Sequence, residues 1–315
     1  MDQLTIVTFI SKTETLNSFL LTLADNLRFS VKTVKMIIYT DSALDEAVLP
    51  NNDILVRIFP NTTKYSRILD SLNIAETSGI IYIDNDIKPD IINLQKFIEG
   101  INENTDIAWG YIGTLLHYGF MSRLITVDKL LSHKIIRPLL WSLNIGISIP
   151  GQVFFISKRR FIKDLPQFDT VFDDLTVGIC AKQYGYSIVR YPFYLGYEKP
   201  SCSLPALIKQ RIRWAKGFYQ SLVKNRRGNM LPYIIIHGFM YHFLWLPVWT
   251  AIGTVCLFSL PAGLLFWLVL CVCVCGKKWN LTVYALVYSL VFPVIHLIWF
   301  LTLFFIMGGL IHEKA

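Results

Sequence analysis

Charge is missing from the C-terminal end of this 315-residue chain: residues 228–276 contain no Asp, Glu, Lys or Arg, and neither do residues 279–312. Each stretch exceeds the roughly 20 apolar residues that cross a bilayer core, which excludes an ordinary water-facing surface there. A disulfide framework is also missing. Of six cysteines, Cys256, Cys271, Cys273 and Cys275 lie inside the charge-free stretches. Alternate residues of a helix point about 200° apart, so the Cys-x-Cys-x-Cys run cannot converge on one metal ion and reads as small apolar span residues. At the N-terminus, Asp2 stands where a signal peptide needs a basic region, so the first part of the chain is expected to stay in the cytoplasm. No internal repeat or low-complexity linker interrupts the first 228 residues.

What remains is two unlike parts. Hydrophobic residues make up 53 % of the chain, concentrated at the C-terminal end, whereas most of the net charge of +8 lies before it. Arg226 and Arg227 precede the first charge-free stretch and Lys277 and Lys278 follow it. Both basic pairs are expected on the cytoplasmic side, so the stretch reads as a hairpin of two helices broken near 250–253 or 259–263. The second stretch, with Pro293, adds one span and carries Glu313 and Lys314 across. The expected division is an α/β domain over 1–198, an amphipathic interface helix over 199–228, and a multi-pass membrane domain of about three spans over 229–315. Residues 199–227 hold eight basic side chains and no acidic one. Such a cluster beside spans suits anionic lipid or phosphates. No nucleic-acid motif accompanies it, so nucleic acid is set aside as a partner.

Within the first part, β-branched runs at 4–10 and 34–39 flank a segment, 16–27, with apolar residues at helical spacing. A third strand at 54–59, a helix over 65–77, and the apolar strand Gly79–Ile83 follow. Lys88-Pro89 reads as a turn, 90–102 as a helix, and 103–150 as irregular. Val153–Ser157 is a strand, 173–184 a helix ended by Gly185, and 187–191 a strand. Alternation of this kind argues for a mostly parallel sheet, with ligands beyond the carboxyl ends of its strands. Asp41, Asp84 and Asp86 fall at such ends. The helix over 204–224 places apolar residues 204, 208, 212, 215, 219 and 222 on one face.

Several groups carry candidate chemistry. Asp84-Asn85-Asp86 offers two hard oxygen ligands at i and i+2, suited to Mg²⁺ or Mn²⁺ with sites left for a diphosphate, although a solvated turn looks the same. Asp173-Asp174 at a helix start offers a carboxylate that can accept a hydroxyl proton, and equally a helix cap. Gln210, Arg213 and Trp214 share a helix face at i, i+3 and i+4 and can present an amide, a guanidinium and an indole to one site. Lys64 and Arg67 can reach a diphosphate, or lie on a solvated face. His237 and His242 read as packing or interhelical hydrogen-bonding groups.

The order of these groups resembles the family 2 glycosyltransferases of the GT-A fold: Asp41, then Asp84-x-Asp86, Asp173-Asp174, Gln210-x-x-Arg213-Trp214, and membrane spans. The branch it looks most like contains cellulose, chitin and hyaluronan synthases and ceramide glucosyltransferase. Gly151-Gln152-Val153-Phe154-Phe155 resembles the family's acceptor-site segment, and Asp173 to Gly178 its Glu-Asp-Leu-x-x-Gly pattern. The resemblance implies a UDP-sugar donor, with Asp41 on the uridine, Asp84 and Asp86 on diphosphate and metal, and Asp174 as base of an inverting transfer. Gln210, Arg213 and Trp214 would close over donor and acceptor. The usual Pro-x-Tyr-Asn-Glu is replaced by residues 9–14, Asp-Asp-Gly-Ser is reduced to Thr40-Asp41-Ser42, and Asp173 stands where Glu is usual. The expected acceptor is a growing polysaccharide, with a lipid as the alternative. From another class, the alternative is a non-catalytic membrane scaffold, against which the joint presence of Asp86, Asp174 and Arg213 argues.

Overall fold

The computed structural model describes residues 3–10, 16, 18–21, 23, 27, 33–42, 53–115, 119–168, 170–200 and 203–307. In chain order the first elements are β1 (Gln3–Ile10), α1 (Ser18–Leu21), β2 (Thr33–Thr40), β3 (Ile54–Ile58), α2 (Lys64–Ile74), β4 (Gly79–Ile83), β5 (Ile87–Pro89), α3 (Ile91–Gly100) and β6 (Ile107–Thr114). There follow α4 (Phe120–Leu130), a π-helical segment (Leu131–Ile136), α5 (Arg137–Ser142), β7 (Val153–Ser157), α6 (Lys158–Asp164), α7 (Asp173–Gln183) and β8 (Ile188–Glu198). The last helices are α8 (Leu204–Lys224), α9 (Leu231–His242), α10 (Trp245–Phe258), α11 (Leu260–Cys275) and α12 (Thr282–Met307). Two compact units result: Met1–Gly113 with Ser148–Lys199, and Thr114–Ile147 with Pro200–Ala315. The segment Thr114–Ile147, expected to go with the first part of the chain, clusters with the C-terminal helices instead.

The α/β unit is built on one sheet of order β3-β2-β1-β4-β7-β6-β8-β5. β3, β2, β1 and β4 run parallel, as expected. Beyond β4 the direction reverses: β4 with β7, β7 with β6, and β5 with β8 pair antiparallel. The sheet is therefore mixed rather than mostly parallel. Between β6 and β7 the chain leaves for the other unit, so β7 does not return through the crossover that parallel pairing requires.

Burial explains which elements the sequence showed. β4 is buried at all five positions and β7 at four of five, so both are short apolar runs. β6 is buried on both faces as well, and its Trp and Gly content hid it within the irregular reading of 103–150. Lys88-Pro89 is not a free turn but part of β5, in register with Tyr197 and Gly196 of β8. Asp90 caps α3, accepting from the Asn93 amide at 3.2 Å. Gly185, with φ of +64°, ends α7 where a side chain would be strained. Within the expected helix over 16–27, Ser18–Leu21 is helical as α1, while residues 17, 22 and 24–26 lie outside the described residues, as do residues 11–14 of the altered loop.

A row of aromatic rings crosses the sheet on four adjacent strands. Phe9 stacks on Tyr39 and on Tyr82 at 6.0 Å between centroids, and Tyr82 on Phe154 at 4.8 Å. Helix α2 lies along this row. Its Asp70 accepts from the Tyr39 hydroxyl at 2.6 Å, and Ser71 shares a 2.9 Å hydrogen bond with that of Tyr82. Arg67, buried at 5 % exposure, donates to the carbonyls of Ile10 (3.3 Å) and Phe59 (3.1 Å) and to the Asp41 carboxylate (2.7 Å). One guanidinium thus ties the carboxyl ends of β1, β2 and β3.

In the helical unit, Trp279–Ile306 is long and apolar enough to cross a membrane, with a mean hydropathy of 2.3. Helices α9 and α10 together would form one span bent by 53°, and α11 is shorter, at 16 residues. By length and composition the described residues thus hold one such helix, or two if the bent pair counts, where three spans were expected. The tail that the last span is expected to carry across, Glu313 and Lys314, lies outside the described residues.

Replacing Arg67 with Met leaves the Asp41 carboxylate, 15 % exposed, without its cation and two strand-end carbonyls without a donor. The expected loss is about 3 kcal/mol of stability, read from denaturant unfolding of the purified chain.

Candidate functional site

Antiparallel pairing sets the start of β7 against the end of β4. Ile83 is in register with Val153, and the Asp84 amide donates to the Gln152 carbonyl at 2.9 Å. The residue before Gln152 is Gly151, which therefore sits beside Asp84. A side chain at Gly151 would meet Asp174 Cβ at 3.1 Å, so glycine is what lets the first turn of α7 approach. In this way Asp84, Gly151, Asp173 and Asp174 come together from three separate parts of the sequence.

Lys64, the first residue of α2, fills the space between them. Its ammonium donates to Asp84 Oδ1 and to the Gly151 carbonyl, both at 2.6 Å, and lies 3.2 Å from Asp173 Oδ2. The Phe9 ring is 5.5 Å away, on the cation's apolar side. Helix α2 can start there because Thr63 caps it, accepting from the Ser66 amide at 3.2 Å. Lys64 is thus no solvated surface lysine.

Electrostatics follow from this crowding. Burial pushes the Asp84 carboxyl up from 3.8 to about 7; the Lys64 charge opposes the shift, and the Asp86 and Asp173 charges add to it. Burial alone would lower Lys64, but the Asp173 and Asp84 carboxylates outweigh it and hold the amine well above its ordinary value. Lys64 stays charged, and Asp84 is the carboxylate whose charge is poised near neutrality. Asp86, two residues on, is exposed, while Asn85 between them is buried at 7 %.

Asp41 stands just beyond β2 with its Oδ1 engaged by Arg67 at 2.7 Å and by the Asn61 amide at 3.3 Å. Asp174 Oδ1 accepts from the amide of Leu175 at 2.8 Å. Gln152 donates to the buried Glu198 carboxylate at 3.0 Å, a pairing no motif announced. Among the described residues no three His, Cys, Asp or Glu side chains converge as a ready-made metal cage. The donors present are nonetheless hard oxygens already gathered about one cation, the chemistry that Mg²⁺ or Mn²⁺ requires. Such an ion would need further oxygens from a ligand.

Gln210, Arg213 and Trp214 belong to the helical unit, on α8. Arg213 is exposed and the other two are half-buried. The face that α8 buries within the protein is Leu207, Arg211, Ala215, Gly217, Phe218 and Ser221; of the apolar face expected to lie at the bilayer, only Ala215 belongs to it. Its centre is Arg211. It is 3 % exposed, pairs with Asp128 of α4 at 2.7 Å, and lies 4.4 Å from the Trp214 ring. Tyr288 of α12 donates to the other Asp128 oxygen at 2.7 Å. Apolar periodicity could not show a ridge centred on an arginine. His242 and His296 approach at 3.2 Å between Nδ1 atoms, so His242 does have an interhelical partner.

The raised Asp84 pKa has a consequence for stability. Between pH 4 and about 7 the folded chain keeps a proton that the unfolded chain has released, so this group's contribution falls as pH rises. In Asp84→Asn that slope should vanish. The difference, at most roughly 1.4 kcal/mol per pH unit, is read from unfolding midpoints of both proteins across that range.

The fold has counterparts among solved structures. One is a mannosyltransferase from Pyrobaculum calidifontis, in complex with GDP-Man and Mn²⁺, at 13 % identity over 92 % of this chain and 86 % of that one, with a TM-score of 0.49. A second is glucosyl-3-phosphoglycerate synthase from Mycobacterium tuberculosis, in complex with Mg²⁺ and UDP, at 13 % identity over 70 % of this chain and 79 % of that one, with a TM-score of 0.48. A mycobacterial protein aligns at 12 % identity over 70 % and 74 % of the two chains, with a TM-score of 0.50. At such identities the likeness concerns the fold alone. No curated protein matches the sequence. The family model described as glycosyl transferase family group 2 matches residues 79–311, well over half of the chain. The chain therefore belongs to glycosyl transferase family group 2 and is a glycosyltransferase.

Proposed function

We propose that the chain transfers a sugar from a UDP-sugar, with inversion, to an acceptor held at a membrane. The observation that carries this reading is the convergence of Asp84, Lys64, Gly151, Asp173 and Asp174 at the carboxyl end of β4. Asp174 is the proposed base. The acceptor hydroxyl oxygen bonds to the anomeric carbon while its proton passes to the Asp174 carboxylate. The bond from that carbon to the diphosphate breaks, and its electron pair leaves on the diphosphate oxygen. A divalent cation, Mg²⁺ or Mn²⁺, would be held by Asp84 and Asp86 and supply charge stabilisation to the departing diphosphate. Lys64 binds the diphosphate, Asp41 the uridine, and Gln210, Arg213 and Trp214 the donor and acceptor. The α/β unit is the proposed cytoplasmic catalytic part, α8 the interface helix, and the helices after it the multi-pass anchor among membrane lipids.

For the acceptor, a cavity within the helical unit favours a lipid over the polysaccharide that the family resemblance puts first. It measures about 400 Å³ and is lined by Tyr241, Trp245, Trp249, Trp267, Tyr288 and His296 among mostly apolar neighbours. That volume suits a small ligand, for which pockets run from roughly 300 to 1,000 Å³. The Tyr241 hydroxyl at its wall is buried without a hydrogen-bond partner, as an amphiphile's polar group would find it. Aliphatic carbons buried there would each add roughly 0.8 kcal/mol.

Two outcomes check the reading. Asp174→Asn should lower kcat by about 10²- to 10⁴-fold with the fold intact, measured as UDP release over a panel of UDP-sugars. Membranes given labelled UDP-sugar should yield a chloroform-soluble glycolipid. A labelled polymer in its place sinks the lipid acceptor and restores the polysaccharide one.

A further inference from the structure

We propose that the Lys64 ammonium is the resident occupant of the oxygen site formed by Asp84, Asp173 and Gly151, competing there with a divalent cation until a nucleoside diphosphate draws it away. Metal and nucleotide then bind as a coupled pair. The inference rests on the reading that Asp84 serves metal and diphosphate.

The argument starts from valence. An ammonium has three N–H donors and no acceptor. Here three oxygens surround it: Asp84 Oδ1 at 2.6 Å, the Gly151 carbonyl at 2.6 Å and Asp173 Oδ2 at 3.2 Å. Two of these are carboxylates, and all are the hard donors that Mg²⁺ and Mn²⁺ also take. A divalent ion must approach such oxygens to about 2.0–2.1 Å, too close to share Asp84 comfortably with an ammonium already hydrogen-bonded to it. Like charges on one carboxylate repel, and the repulsion is strong where little water screens it. Lys64, Asp84 and Asp173 are all less than a third exposed. A metal alone therefore has to draw Asp84 away from Lys64 with nothing supplied to replace that carboxylate.

A nucleoside diphosphate changes that balance. It brings at least two negative charges, and Lys64 is a point charge on a flexible four-carbon stem, able to swing without moving its helix. The ammonium exchanges carboxylates for phosphate oxygens, and Asp84 is released to the metal. By linkage, the factor by which nucleotide tightens metal binding equals the factor by which metal tightens nucleotide binding. Lys64 is then the source of the coupling, beyond being a diphosphate contact.

The test measures binding in the full chain in detergent at mildly alkaline pH, with Mn²⁺ followed by electron paramagnetic resonance and UDP as the nucleotide. In the wild type, Mn²⁺ alone should bind weakly and UDP should tighten it. Lys64→Met should bind Mn²⁺ alone about tenfold more tightly, with UDP's enhancement reduced by a like factor. If the wild type shows the coupling and Lys64→Met leaves it unchanged, this inference fails alone. A wild type that binds no Mn²⁺ even with UDP overturns the metal reading and the inference with it. A measurement on the unaltered chain guards against a misfolded variant: acetic anhydride labelling of Lys64, quantified by mass spectrometry against the other lysines. Saturating Mn²⁺ alone should raise it and added UDP should lower it; labelling indifferent to both overturns the exchange.

Discussion

Two carboxylates that are 89 positions apart in sequence, Asp84 and Asp173, are held to one ammonium, and the geometry of the α/β unit depends on that charge balance. Neither carboxylate is fully hydrated, and a buried negative pair without a cation would be expelled or neutralised. The cation comes from the first residue of α2. The same helix sends Arg67 to the ends of three strands and Asp70 and Ser71 to the hydroxyls of Tyr39 and Tyr82. A displacement of α2 would therefore disturb Lys64, Asp41 and the aromatic row together. The helix fixes the site because it is itself fixed at several points along its length.

The change from parallel to antiparallel pairing at β4 is the second constraint. In an all-parallel sheet the strand beside β4 would also end at the site, leaving room for one loop only. Because β7 runs the other way, it begins there, and the backbone of Gly151 and Gln152 lies against Asp84. This supplies a carbonyl oxygen to the cation and a gap through which α7 brings Asp173 and Asp174. Asp84 thus follows β4, beside the point where the strand order β3-β2-β1 turns to β4, the kind of position at which α/β folds open a crevice for ligands.

How much of this was legible in the sequence depends on the range of the interaction. Gly79–Ile83 and Val153–Ser157 were readable because a strand buried on both faces is a short apolar run with little ambiguity. Asp84 and Asp86 were readable because they directly follow such a run. The contact between Lys64 and Asp173 was not, since nothing local distinguishes a lysine that begins a helix from one that faces water. β5 was hidden for a related reason: three residues with a proline become a strand only when β8 lies alongside. The packed ridge of α8 was hidden for another reason. Apolar spacing marks 204, 208, 212 and 219, whereas the ridge that packs within the protein centres on Arg211, whose burial is costly and is tolerated because Asp128 compensates its charge.

That last case bears on the helical unit as a whole. An arginine at 3 % exposure with a carboxylate, a tyrosine hydroxyl and an indole around it is an expensive arrangement among apolar helices. Stability alone would be served as well by leucine, since apolar groups of similar volume commonly replace buried ion pairs without loss. What a paired Arg211 provides that leucine does not is a fixed rotation for α8: only one face can bring the guanidinium to Asp128. Fixing that rotation also fixes the direction of Arg213, two residues on and exposed, and holds the Trp214 ring beside the Arg211 guanidinium. The buried pair sets the aim of the residues beside it, which is the sense in which Gln210, Arg213 and Trp214 depend on a neighbour that their own spacing does not reveal.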